Sequence, residues 1–106
     1  MELTPELAII HQPVRLKIMG LLYKQRDVGF TAARDALGLS DGNLASHANK
    51  LAEAGLLDAR KVLTREGFEM RYRLTEEGSR QFRLYLEQLE RFLVNAYLPA
   101  EVSRSG

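Results

Sequence analysis

The stretch LSDGNLASHANKLAEAGLL, residues 39–57, decides the fold because it predicts a helix with two unlike faces. At 100° per residue its apolar side is formed by Leu44, Leu51, Ala48, Ala52 and Ala45. The other side carries Asn43, Ser46, His47 and Lys50, at spacings of 3, 4 and 7. A merely solvated face usually alternates Glu and Lys, whereas this face brings little negative charge to a polyanion.

A second short helix is predicted just before this one. Thr31 is expected to cap the segment AARDAL, which would turn Ala32, Ala33, Ala36 and Leu37 inward. Gly38 is expected to end it, since glycine tolerates positive φ, and either Ser40 or Asp41 caps the helix that follows and ends at Gly55. Two short helices joined by a tight turn, over about 31–54, are a helix-turn-helix.

The N-terminal segment contains two prolines at informative positions. Thr4 and Pro5 are typical of the cap and first position of a helix. Pro13 either ends that segment at Gln12 or starts a second helix. The segment RDVGF, residues 26–30, then predicts a break that holds a very short strand.

A β-hairpin is predicted over residues 57–74. Met70, Tyr72 and Leu74 alternate with charged residues, and a period of 2 is typical of a half-buried strand. Arg71 and Arg73 would point outward, and the tip would hold Arg65 and Gly67.

A long final helix follows, capped by Thr75 over about 76–97 and ended by Pro99, with a frayed tail at residues 100–106. One broad apolar stripe runs along it: Phe82, Tyr85, Leu86, Leu89, Phe92, Leu93, Ala96 and Tyr97. The stripe is wider than one small domain covers easily, so we expect a twofold homodimer made by this helix together with residues 3–10. Dimerisation is assigned to Phe82, Tyr85, Leu86, Leu89, Phe92, Leu93 and Ala96.

Length and composition fit one domain over residues 1–106, mainly α with a small β-hairpin (α+β). Of 106 residues, 45% are hydrophobic and 27% charged, which is typical of a folded chain. No apolar run has membrane-spanning length, so a cytoplasmic protein is expected. Net charge is only +1, but residues 60–73 contain five bases and two acids, so positive charge is concentrated in the hairpin.

Three strings resemble winged helix-turn-helix regulators of the MarR and ArsR type. HQPVRLKIMGLL is similar to their opening helix, LGLSDGNLASHANKLAEAGLL to their turn and recognition helix, and RYRLTEEG to the end of the wing. They occur in the right order over about residues 11–93. The resemblance implies a stand-alone regulator with a dimerisation helix.

The resemblance also implies which residues bind DNA. Asn43, Ser46, His47 and Lys50 would face the major groove, with Ser40 and Asp41 near phosphate or base edges. Asn pairs with adenine, Ser reads either edge, and Lys binds guanine or phosphate. In the wing, Lys61, Arg65, Arg71 and Arg73 are candidates for phosphate, with roughly one of these arginines expected to be structural.

Few residues in the sequence bear on metal binding, catalysis or other classes of function. With no cysteine and only His11 and His47, the chain is expected to hold no metal and no cofactor, and no extra effector domain is visible. His47 is read as a polar contact, or as a pH-sensitive group. Ser46 and His47 point about 100° apart on a helix, so no catalytic site is expected. The alternative is a winged-helix module that binds protein, which the low net charge favours.

Overall fold

The computed structural model describes residues 1–97, which form helices around a three-stranded antiparallel sheet. In chain order the elements are α1 (Pro5–Ile10), α2 (Pro13–Lys24), β1 (Val28–Gly29), α3 (Phe30–Leu37), α4 (Asp41–Glu53), β2 (Leu57–Thr64), β3 (Gly67–Leu74) and α5 (Glu76–Tyr97). The predicted fold class is confirmed, and so is the short strand in RDVGF. The predicted stop at Pro99 and the tail at residues 100–106 lie outside the described residues.

Both N-terminal helices begin at a proline behind a side-chain cap. The hydroxyl of Thr4 accepts a hydrogen bond from the backbone N–H of Leu7 at 3.2 Å, and Pro5 is the first residue of α1. Pro13 starts α2 behind Gln12, whose side-chain oxygen caps that helix. A proline costs nothing there, because the first N–H of a helix has no intrahelical acceptor. Of the two roles left open for Pro13, the helix start is the one observed.

The turn between α3 and α4 contains the predicted glycine and helix cap. Gly38 adopts φ of 65°, in the left-handed region that glycine occupies without strain. Ser40, rather than Asp41, caps α4 by accepting from the N–H of Asn43 at 3.1 Å. Gly55, with φ of 78°, lies just beyond the end of α4. The prediction of a helix-turn-helix is confirmed.

The start of α3 differs from the prediction. Thr31 is not its cap, because the helix begins at Phe30 and follows Gly29, which makes no side-chain capping bond. Of the four apolar side chains expected to point inward, only Ala33 is buried. Leu37 is half-buried, and Ala32 and Ala36 are exposed. An eight-residue helix at the edge of a small core buries only a narrow stripe.

The strands lie in the order β1-β3-β2. Leu57 pairs with Leu74 at the base of the hairpin, and Leu63 pairs with Phe68 near its tip. Val28 of β1 pairs with Tyr72 on the other edge of β3. Tyr72 is buried, as the predicted alternation requires. The sheet therefore joins the core at its base, and the hairpin projects from it.

The junction between α4 and α5 is held by backbone contacts. The Thr75 hydroxyl accepts from the N–H of Gly78 at 2.9 Å and donates to the carbonyl of Gly55 at 2.7 Å. The N–H of Thr75 also donates to the Leu56 carbonyl at 3.2 Å. A Cβ on Gly78 would lie 1.8 Å from that same Leu56 oxygen, so only glycine permits this close approach. The segment that follows α4 is thus fixed to the start of α5.

Candidate nucleic-acid interface

The outward face of α4 carries the hydrogen-bonding groups predicted from sequence. Asn43, Ser46 and Lys50 are exposed, while Leu44 on the inner face is fully buried. The three polar residues lie at positions i, i+3 and i+7, so they form one row along the helix. Such a row presents amide, hydroxyl and ammonium groups to a partner, which is the chemistry that reads base edges.

His47 lies beside that row but is half-buried against α2. Its Nδ1 is 3.1 Å from Nη1 of Arg15, which also donates through Nε to the carbonyl of Ile9. Guanidinium groups only donate, so Nδ1 of His47 accepts and the proton of the neutral ring is on Nε2. Burial lowers the pKa of His47, and the charges of Arg15 and Lys50 lower it further. The neutral imidazole therefore presents a donor beside the polar row.

Ser40 and Asp41 lie at the N-terminus of α4, as predicted, but both already have partners. The Ser40 hydroxyl is the helix cap. A carboxylate oxygen of Asp41 accepts from Nη1 of Arg34 at 2.9 Å, and Arg34 also pairs with Asp35 at 3.0 Å. These hydrogen bonds raise the pKa of Arg34. This pairing links α3 to α4 and partly neutralises the acid at the start of α4.

Two of the four predicted wing bases are held in ion pairs. Arg71 Nε lies 2.9 Å from Asp27, and Arg73 Nε lies 3.0 Å from Asp58, its cross-strand partner. Asp27 also pairs with Arg60, which lies directly across the hairpin from Arg71. Roughly one of these arginines was expected to be structural, and the structure holds two of them, Arg71 and Arg73, in ion pairs. Asp27 holds two facing guanidinium groups together, and this paired face lies opposite the core side of the sheet.

The other two wing bases lie at or near the tip. Arg65 is exposed in the turn, and no ion pair within residues 1–97 includes it. Lys61 is exposed too, and its Nζ lies 5.1 Å from the centre of the Phe68 ring. The turn is ordered by Thr64, whose hydroxyl donates to the carbonyl of Gly67 at 2.7 Å. Lys61 and Arg65 are therefore the wing cations best placed for phosphate.

The stripe on α5 divides into a buried part and an exposed part. Phe82 and Tyr85 are buried in the core of the chain itself, so their predicted dimerisation role is corrected to a core role. Leu89 is half-buried against that core. The exposed part of the predicted dimer surface consists of Leu86, Phe92, Leu93 and Ala96. Burial of the first part follows from the packing of α1 and α2 against α5.

A helix-turn-helix followed by a projecting two-stranded hairpin defines a winged helix protein. The family described as "Winged helix DNA-binding domain" matches residues 14–93, and the chain belongs to that family. The resemblance to MarR and ArsR regulators is thereby confirmed at the level of fold and class. Members of this family are DNA-binding proteins rather than enzymes.

Individual relatives agree with this assignment. The chain is 31% identical over 81 residues to the uncharacterized protein MJ0432 of Methanocaldococcus jannaschii, covering 76% of this chain and 88% of the relative. It is 30% identical to a transcriptional regulator homologue of Pyrococcus horikoshii OT3, with a TM-score of 0.80. The match covers 86% of this chain and 90% of that structure. A homodimeric winged helix-turn-helix DNA-binding domain, Mb0332 of Mycobacterium bovis, has 22% identity, a TM-score of 0.70 and coverage of 87% and 82%. The last likeness concerns the fold.

Among residues 1–97, no group of three or more His, Asp or Glu side chains is arranged to hold a metal ion. Over the same residues, no helix is both long enough and apolar enough to cross a membrane.

Several residues of this surface were not predicted from sequence. Arg15 and Asp27 are important because of contacts 32 and 44 residues away along the chain, which periodicity does not reveal. Leu63 and Phe68 could have been found, since extending the alternation of the strands to the tip places both on the apolar side. Their exposure depends on how far the hairpin projects, which only the structure shows.

Proposed function

We propose that the protein is a cytoplasmic, homodimeric regulator that acts as a single winged helix unit, binds a specific duplex sequence and represses transcription by blocking a promoter. The observation that carries this proposal is the exposed row of Asn43, Ser46 and Lys50 on a capped helix beside a cationic hairpin. In this proposal α4 enters the major groove and reads bases. Lys61 and Arg65 neutralise phosphates and supply affinity that does not depend on sequence.

The dimer is proposed to form through α5 and α1. Leu86 and Leu93 are 40% and 45% exposed and lie two helical turns apart, so they form one apolar edge. A twofold pairing of this edge would cover it and would present two recognition helices to successive major grooves about 34 Å apart. The site would then be close to palindromic.

The DNA proposal is tested by fluorescence anisotropy with a random-sequence duplex pool, titrated with salt, followed by sequencing of the retained fraction. We expect binding that weakens steeply with salt and enrichment of a palindrome. Absence of binding at low salt would contradict the proposal and favour the protein-binding module instead.

The dimer proposal is tested separately by sedimentation equilibrium at tens of micromolar protein. The Leu86→Gln/Leu93→Gln variant should be monomeric if the proposal is right. Leu84→Gln is the matched control, since Leu84 is also exposed on α5 but lies 160° around the helix from Leu86. A monomeric wild-type protein would contradict the dimer.

A further inference from the structure

Two large apolar side chains are exposed side by side at the tip of the wing. Leu63 of β2 and Phe68 of β3 are cross-strand partners, and they are 69% and 68% exposed. Among residues 1–96, no other large hydrophobic residue is as exposed as these two. Directly paired side chains in an antiparallel ladder lie close enough to form one apolar surface.

This surface does not belong to the core of the protein. It lies on the same side of the hairpin as Ala59 and Tyr72, whose ring is buried, but four residues further out along each strand. At about 3.4 Å per residue, the tip pair is about 14 Å beyond the last buried position. Exposing these side chains costs free energy in the isolated protein, and an exposed apolar patch on a projecting element indicates a partner.

The charge around the pair indicates what kind of partner it meets. Lys61 holds its ammonium over the Phe68 ring, and Arg65 is exposed in the turn two residues beyond Leu63, with the exposed Glu66 following it. Glu69, in contrast, is directed to the opposite face of the hairpin, where it pairs with Arg71. An apolar edge between two cations complements a groove that is lined by phosphates and floored by base edges.

We propose that Leu63 and Phe68 form an apolar wedge that enters the minor groove beside the site read by α4, partly unstacks a base step and bends the duplex. This inference rests on the proposed function, because it requires that the wing meet DNA. Apolar wedges of this kind unstack steps and kink DNA toward the major groove. Pyrimidine–purine steps deform most easily, so the wedge selects such a step at a position without hydrogen-bond readout.

The test is a bending measurement on a duplex recovered from the random pool, with a donor and an acceptor dye at its two ends. Wild-type protein should increase energy transfer, which reports a shorter end-to-end distance. The Leu63→Ser/Phe68→Ser variant should lose the bend and bind about tenfold more weakly, because the buried apolar area is lost. Both residues are exposed, so the fold does not depend on them.

Two controls separate apolar contact from charge. Leu63→Met/Phe68→Leu keeps both side chains large and apolar and should keep the bend. Arg65→Ala should weaken binding and reduce its salt dependence while leaving the bend intact. A wild-type complex that binds without bending, or a serine variant that bends as the wild type does, would overturn the wedge and leave the DNA proposal standing. Absence of any duplex binding by the wild type would overturn both.

Discussion

Arg15 of α2 donates a hydrogen bond to Nδ1 of His47 on α4, with 3.1 Å between the two nitrogen atoms. The bond fixes the orientation of an imidazole that borders the recognition surface. It also requires that Nδ1 carry no proton, because a guanidinium group has no acceptor to offer. The position of α4 against α2 is therefore coupled to the protonation state of His47.

This coupling predicts a loss of stability in mild acid. The pKa of His47 is lowered in the folded protein, by burial and then by Arg15 and Lys50, so the unfolded chain takes up the proton more readily. The contribution of the neutral ring to stability is complete above the ordinary pKa of about 6.5 and is lost as pH falls below it. Urea midpoints at pH 7.5, 6.5 and 5.5 measure this. His47→Gln, which keeps an acceptor and cannot titrate, should lose less stability over that range. Equal losses in both proteins would contradict the assignment.

Asn43→Ala should relax the sequence preference at one base position. The amide of Asn43 is exposed at the start of the polar row, where a bidentate pair with adenine would contribute about 1–3 kcal/mol of discrimination. Repeating the selection with the variant measures this. Asn49→Ala is the matched control, since Asn49 is exposed on the same helix but lies about 90° from the centre of that row. The control should retain the full sequence preference. If Asn43→Ala retains it as well, Asn43 does not read a base.

Arg65→Ala should weaken binding to every duplex by a similar factor and reduce the slope of log K against log salt by about 1. The reason is that a phosphate contact releases counterions without reading bases. Salt titrations with a selected and an unrelated duplex give both quantities. Arg91→Ala removes the same charge from an exposed position on α5, and it should leave the slope unchanged. A loss confined to the selected duplex would instead make Arg65 a base-reading residue.

Gly78→Ala should destabilise the protein, although alanine is normally the better helix former. The new Cβ would lie 1.8 Å from the Leu56 carbonyl oxygen, and relieving that overlap by backbone movement costs about 1–3 kcal/mol. Gly42→Ala in α4 is the control, because within residues 1–97 nothing lies within 4 Å of its Cβ position. The control should gain about 0.5–1 kcal/mol. Urea unfolding should show shifts of opposite sign, and a stabilised Gly78→Ala would mean that α5 does not approach Leu56 so closely.

Local patterns in the sequence predicted the elements that depend on local physics. The Thr4 and Thr75 caps, the left-handed Gly38 and the hairpin all follow from hydrogen-bonding geometry or from a period of 2 within a few residues. The start of α3 was wrong because Phe30, which ends the short break, packs its ring 6.3 Å from Tyr72 and is drawn into the helix. A cap preference is worth little against such a tertiary contact.

The division of the site between binding and structure was less predictable. The pairing of Arg71 with Asp27 joins residues that are 44 positions apart, and no local sequence pattern in either segment predicts it. The α5 stripe was recognised, but which of its residues face the core depends on where α1 and α2 dock. Phe82 is 5% exposed and Leu86 is 40% exposed, one helical turn apart on the same stripe.

The hydrogen bonds of Thr75 and the close approach at Gly78 attach the segment after α4 to the start of α5. In the proposed dimer, each α4 is attached to one α5 helix, and the two α5 helices cross at the twofold axis. A small change in the angle at which the two α5 helices cross would therefore produce a larger change in the distance between the two α4 helices, which lie far from the axis. In the proposed complex with a twofold DNA site, the spacing of the half-sites would therefore depend on that crossing angle.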